Sequence, residues 1–134
     1  FLYPALGERM SHRRAAILTG VVWGLWHAPL IAMGYNYGTD YLGFPVIGIV
    51  TMTIFCMAFG TFLCFLRERS RSVWPCALAH GPLNAVAGLG MWFSRGGSGI
   101  LGPMPLGLLG CIPTALLAAW LLGRLGAPSA DVAR

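Results

Sequence analysis

Three side chains have the types and spacing for acid–base or oxyanion chemistry: His27, His80 and Asn84. His80 and Asn84 stand four residues apart in Leu78-Ala79-His80-Gly81-Pro82-Leu83-Asn84, so on a helix they stack on one face. An earlier stretch, Leu25-Trp26-His27-Ala28-Pro29-Leu30, repeats the pattern Leu-x-His-x-Pro-Leu. The remaining histidine, His12, lies among arginines outside any apolar run. Imidazole suits proton transfer or zinc, and the asparagine amide is a neutral donor that needs no charge in an apolar setting.

The elements that must position these groups are membrane helices. Of 134 residues, 57% are hydrophobic and only 10% charged, and mean hydropathy is +0.71; a soluble domain has roughly 25% charged residues. Four apolar stretches, at about 15–33, 42–66, 73–93 and 100–123, approach the ~20 residues needed to cross ~30 Å of hydrocarbon. The expected fold is all-α, a polytopic transmembrane helical bundle of about four spans forming a single membrane domain over residues 1–134, with a mobile tail at 125–134. A β-barrel is not expected, because it needs about eight strands of alternating polarity and these runs are continuously apolar.

The formal charge of +5 comes from nine arginines and no lysine, set against Glu8, Asp40, Glu68 and Asp131. Arg9, Arg13 and Arg14 precede the first stretch, Arg67, Arg69 and Arg71 separate the second from the third, and Arg124 and Arg134 follow the fourth. Arg95 alone lies on the other side. This asymmetry is a positive-inside pattern, so both chain ends are expected in the cytoplasm. It assigns the positive charge to orientation, with no nucleic acid as partner.

Several smaller features read as scaffold. Ser11 can cap the first helix. Gly20 and Gly24 form a small-x-x-x-small pair that lets another helix approach closely. Tyr35, Tyr37 and Tyr41 suit an aromatic belt at the outer interface, with Trp74 and Trp92 as further anchors. Glu8 and Asp40 read as solvated carboxylates. Thr51, Thr53 and Thr61 can bond within their own helix, and Cys56, Cys64, Cys76 and Cys111, which make no C-x-x-C pair, read as buried packing residues.

Polar groups in hydrocarbon normally face the bundle interior and have a partner or a task. The plainer account makes Asn84 and a histidine hydrogen-bond across a helix interface, worth ~1 kcal/mol each. The prolines favour a working site. Pro29 and Pro82 follow their histidines by two residues and are expected to open the helix and free the carbonyls of Leu25 and Leu78. Irregular backbone at membrane depth is tolerated where it lines a hydrated cavity.

At these residues the chain resembles the CAAX protease and bacteriocin-processing group of intramembrane proteases, called the CPBP or Abi family. That family's second motif, an aromatic residue four before a histidine, matches Trp23 and His27; its third, His-x-x-x-Asn, matches His80 and Asn84. The resemblance covers roughly 1–93. The first motif, Glu-Glu-x-x-x-Arg, is nowhere in the sequence, and Phe1-Leu2-Tyr3-Pro4 resembles the stretch that follows it in relatives. The expectation is therefore a C-terminal fragment that lacks its general base and is inactive by itself.

The resemblance implies an endopeptidase in a membrane, most simply a bacterial plasma membrane, acting on a membrane-associated protein or peptide. In that picture a glutamate helped by His27 activates water, and His80 and Asn84 hold the oxyanion. A metalloprotease version makes His27 and His80 zinc ligands; catalytic zinc takes three protein ligands, so a glutamate must come from elsewhere, and the sequence alone does not choose between the two versions, of which the metal-free one is taken here. Two other classes stay open: a non-proteolytic immunity or accessory membrane protein of the same fold, and part of a transporter or proton relay.

Overall fold

The computed structural model describes residues 1–87, 89, 97–102 and 104–126. Trp92, Arg95, Arg134 and most of the expected tail lie outside the described residues. Six helices follow one another there: α1 Leu2–Gly7, α2 His12–Trp26, α3 Ala28–Ala32, α4 Val46–Ser70, α5 Trp74–Ala87 and α6 Ile112–Leu122. The fold is an all-α bundle, and no strand occurs among the described residues.

Helix α4 is the hub, with α2, α3, α5 and α6 packed around it. Its 25 residues reach ~37 Å at ~1.5 Å per residue, longer than the ~30 Å hydrocarbon layer. Together α2 and α3 form a second apolar length of 21 residues, His12–Ala32. Within α4, the hydroxyls of Thr51, Thr53 and Thr61 donate to the carbonyls of Ile47, Ile49 and Met57 at 2.7–2.8 Å. Each polar group is thereby satisfied inside its own helix.

Helices α2 and α4 meet backbone to backbone. A Cβ placed on Gly20 would lie 2.5 Å from Met57 Cα, and one on Gly24 would collide with the backbone and side chain of Thr53. Only glycine allows this approach, so the Gly20–Gly24 spacing is the seam itself. Ser11 occupies the N-cap of α2 as expected, although its side chain makes no capping hydrogen bond.

The prolines act differently from each other. The break at Pro29 falls on His27, which separates α2 from α3 and turns its N–H to Gly24 O at 3.1 Å. Pro82, by contrast, sits inside α5, which stays helical from Trp74 to Ala87. Pro82 has no N–H for the carbonyl of Leu78, yet the helix is not opened.

Two tyrosines expected at the interface are core residues. Tyr35 is exposed, but Tyr37 is buried and its hydroxyl donates to Leu106 O at 2.7 Å. Tyr41 is half-buried, with its ring 5.5 Å from that of Phe44. Tyr37 thus ties the α3–α4 loop to the segment before α6.

That segment is where the expected fourth span departs from a single helix. Among the described residues of 100–123, only Ile112–Leu122 is helical, ~16 Å long. The preceding residues form turns, with Leu108 N–H donating to Ile100 O and Gly107 N–H to Met104 O, both at 2.8 Å. Glycines at 99, 102, 107 and 110 together with Pro105 account for this, since apolar composition does not offset their low helix propensity. Of the four cysteines, all free, Cys56, Cys64 and Cys111 are buried and Cys76 is half-buried.

Candidate active site

Trp23 is the residue that His27 and His80 share. Its ring centroid lies 6.0 Å from that of His27 and 5.2 Å from that of His80, the latter pair edge-to-face at 90°. Glycine seam packing explains why Trp23 is where it is. Gly20 and Gly24 draw α2 onto α4, and Trp23 between them is carried against Phe59, 6.3 Å between centroids. Phe59 in turn lies 6.2 Å from His80.

A hydrogen bond to its own helix holds the His27 ring. Its Nδ1 lies 2.8 Å from Trp23 O, and a carbonyl can only accept, so Nδ1 carries the proton and Nε2 keeps its lone pair when the ring is neutral. An imidazole in this tautomer is prepared to take a proton or a metal through Nε2. His80 is half-buried, while Asn84, one turn further along α5, is exposed and makes no hydrogen bond among the described residues. The structure therefore joins His27 and His80 through Trp23 and leaves Asn84 one turn beyond His80 on α5, outside that aromatic contact.

A cleft of about 790 Å³ opens at His80. Its walls are α1, Thr19 and Trp23 of α2, Gly60, Leu63 and Arg67 of α4, and Cys76 and His80 of α5. His27 and Asn84 are not among the wall residues. A second cleft of about 300 Å³ adjoins it and shares Tyr3, Pro4, Glu8 and Arg67.

The fit to zinc is incomplete. Among the described residues no three His, Cys, Asp or Glu side chains are grouped to hold a metal ion, and the three protein ligands of a catalytic zinc are not supplied by His27 and His80 alone.

A polar cluster at the far end of the cleft was not legible in the sequence. Tyr3 donates its hydroxyl to Glu68 Oε2 at 2.5 Å, His12 Nδ1 lies 2.9 Å from the same oxygen, and Gly126 N–H donates to Oε1 at 2.7 Å. Burial, then the hydrogen bond to Glu68 and its charge, pushes the Tyr3 phenol up, so it stays a donor. Tyr3 and Glu68 are 65 positions apart, and no local spacing signals such a pair. His12, placed by sequence only among arginines, is the third member.

A helical membrane bundle with two histidines gathered on a tryptophan beside a cleft defines a class, the polytopic membrane proteins with ionisable groups at membrane depth. The profile described as Type II CAAX prenyl endopeptidase Rce1-like matches residues 1–86, which include His27, His80 and Asn84. The chain belongs to that CAAX protease family and is an integral membrane protein. Comparison with curated proteins and with solved structures gives no match.

Proposed function

We propose that this chain supplies part of the site of an intramembrane endopeptidase that cleaves a membrane-associated protein or peptide of the prenylated C-terminal type. The observation that carries this reading is His80 seated on Trp23 at the wall of a cleft of about 790 Å³, within a chain of the CAAX protease family. A site of this kind needs water, a base and oxyanion donors. His27, with Nδ1–H fixed on Trp23 O, offers Nε2 to a water molecule. His80 and Asn84, neighbours on one helix face, supply N–H donors to the oxyanion of the tetrahedral intermediate.

The scheme needs a general base in addition to these three side chains. Glu8 is exposed and has no role in this scheme. His27 as proton acceptor and His80 as oxyanion donor act here without a metal; a zinc ion held by His27 and His80 would require a third protein ligand and would supply Lewis-acid polarisation of the carbonyl. Both termini of the chain lie on the arginine-rich cytoplasmic side.

The test is cleavage of a membrane-tethered, prenylated peptide by the full-length protein in liposomes. Loss of cleavage in H80A and H27A, in protein that keeps its thermal transition, is the expected result. Unchanged cleavage in both variants would overturn the assignment. Chelation with a strong zinc ligand separates the two versions: activity survives it in the metal-free one.

A further inference from the structure

Three arginines from three parts of the chain meet at the end of α6. Arg13, in the first turn of α2, donates to Gly123 O at 3.3 Å, and Arg69, in the last turn of α4, reaches the next carbonyl, Arg124 O, at 3.5 Å. Arg124 itself folds back over Trp120, with its guanidinium carbon 3.3 Å from the ring centroid. All three arginines are exposed. Each carbonyl contact takes one of the five N–H donors of a guanidinium, and stacking engages the face of the third rather than the donors on its edge.

Arginines at a helix C-terminus have a plain use, which is to satisfy its last carbonyls and its dipole. Here there is more charge than that use requires. The dipole supplies roughly −0.5 elementary charge. Glu68 offsets at most one more, and its oxygens already accept from Tyr3, His12 and Gly126. Of the other described carboxylates, Glu8 lines the cleft with Arg67, and Asp40 precedes the opposite end of α4. Among the described residues, this corner therefore keeps an excess of positive charge.

The surface leading up to it is apolar. Ile112, Leu116, Trp120 and Arg124 follow at four-residue steps, which places them along one face of the helix. The first three are exposed, and Arg124 stays on that face by lying over Trp120. From Ile112 to Arg124 the rise is ~18 Å, enough to cover the ~15 Å depth of one leaflet in a ~30 Å hydrocarbon layer. An apolar face of that depth ending at clustered guanidinium groups matches an acyl chain with a phosphate at its head.

We propose that Arg13, Arg69 and Arg124 hold the phosphate of an anionic glycerophospholipid, one acyl chain of which lies along Ile112, Leu116 and Trp120. The arginines recognise a phosphate ester, and the apolar face selects a lipid over a free phosphate. Bound there, the lipid ties α6 to α2 and α4 at the arginine-rich membrane surface. The site needs only the membrane placement of the chain and is independent of the endopeptidase chemistry.

The experiment counts lipids held by the purified full-length protein in detergent, by native mass spectrometry, with phosphatidylglycerol titrated against phosphatidylcholine. The native protein should prefer one phosphatidylglycerol by about tenfold or more, and R13Q, R69Q and R124Q should each weaken its binding by about fivefold, the weight of one arginine at a membrane surface. R71Q removes the same charge at the turn from α4 into α5 and should leave binding unchanged. Equal retention of the two lipids by the native protein overturns the proposal without recourse to any variant. A loss in R71Q as large as in R69Q and R124Q also overturns it, since that marks a diffuse surface charge. Excess inorganic phosphate separates the two sources of the anion: phosphatidylglycerol that stays bound supports the lipid site, and displacement by phosphate overturns it in favour of a free anion.

Discussion

Helices α2 and α5 each bring a histidine to Trp23, but they are held by different means. At the α2–α4 seam two backbones touch across Gly20 and Gly24, and α2 buries Ala15, Ala16, Gly20 and Gly24. Helix α5 has no buried residue and packs mainly against α4. A Cβ added to Gly81, next to His80, would meet nothing within 4 Å. One histidine is thus fixed to the most tightly packed part of the molecule, and the other is carried on its most open helix. The lesson is that the same short pattern, Leu-x-His-x-Pro-Leu, takes its character from what its helix packs against.

Substitutions at the glycines test this contrast most severely. G24V should prevent assembly of the bundle, because the new side chain meets Thr53 backbone that cannot move aside; overpacking costs ~1–3 kcal/mol even where neighbours relax. Thermal unfolding in detergent measures it. H80A should act on activity instead: removal of an oxyanion donor lowers kcat by about 10²–10³, while the melting temperature shifts little because His80 is only half-buried on a helix with no fully buried residue. Cleavage rate and melting temperature, measured on the same full-length protein, check both halves.

E68Q lies between these extremes. It weakens the contacts of α1, His12 and Gly126 with α4 and should cost ~1–3 kcal/mol, since hydrogen bonds to a charged group are lost; proteolysis of α1 reports the loosening. Y37F removes the bond to Leu106 O and should cost ~1 kcal/mol, read as a shift in the unfolding midpoint. G81A should be the mildest. It gains up to ~1 kcal/mol of helix propensity with no clash, and a loss of stability there would mean that the face of α5 beside His80 is covered.

Much of this contrast could be read from residue order alone. The apolar lengths, the Gly20–Gly24 spacing and the threonines bonding to their own helix are local features set by neighbours within one or two turns. His27, His80 and Asn84 were conspicuous because polar groups are rare in such stretches, and the structure brings both histidines to Trp23. What escaped were long-range relations. Tyr37 has the composition of an interfacial residue and became a core residue only because the segment at 100–108 folds over it. The Tyr3–His12–Glu68 cluster depends on contacts that span 56 and 65 positions. Pro82 shows a different limit, since the proline rule predicts an opened helix and α5 continues through it.

The glycine seam has a consequence for hydrogen exchange. Elements that share a backbone contact cannot expose their amides separately, whereas an element with few buried contacts opens at a lower free energy. The amides of α2 and α4 around Gly20, Gly24 and Met57 should therefore exchange together and last. Those of α5 should exchange sooner, which would make the helix that carries His80 and Asn84 the side of the bundle that loosens before the seam does.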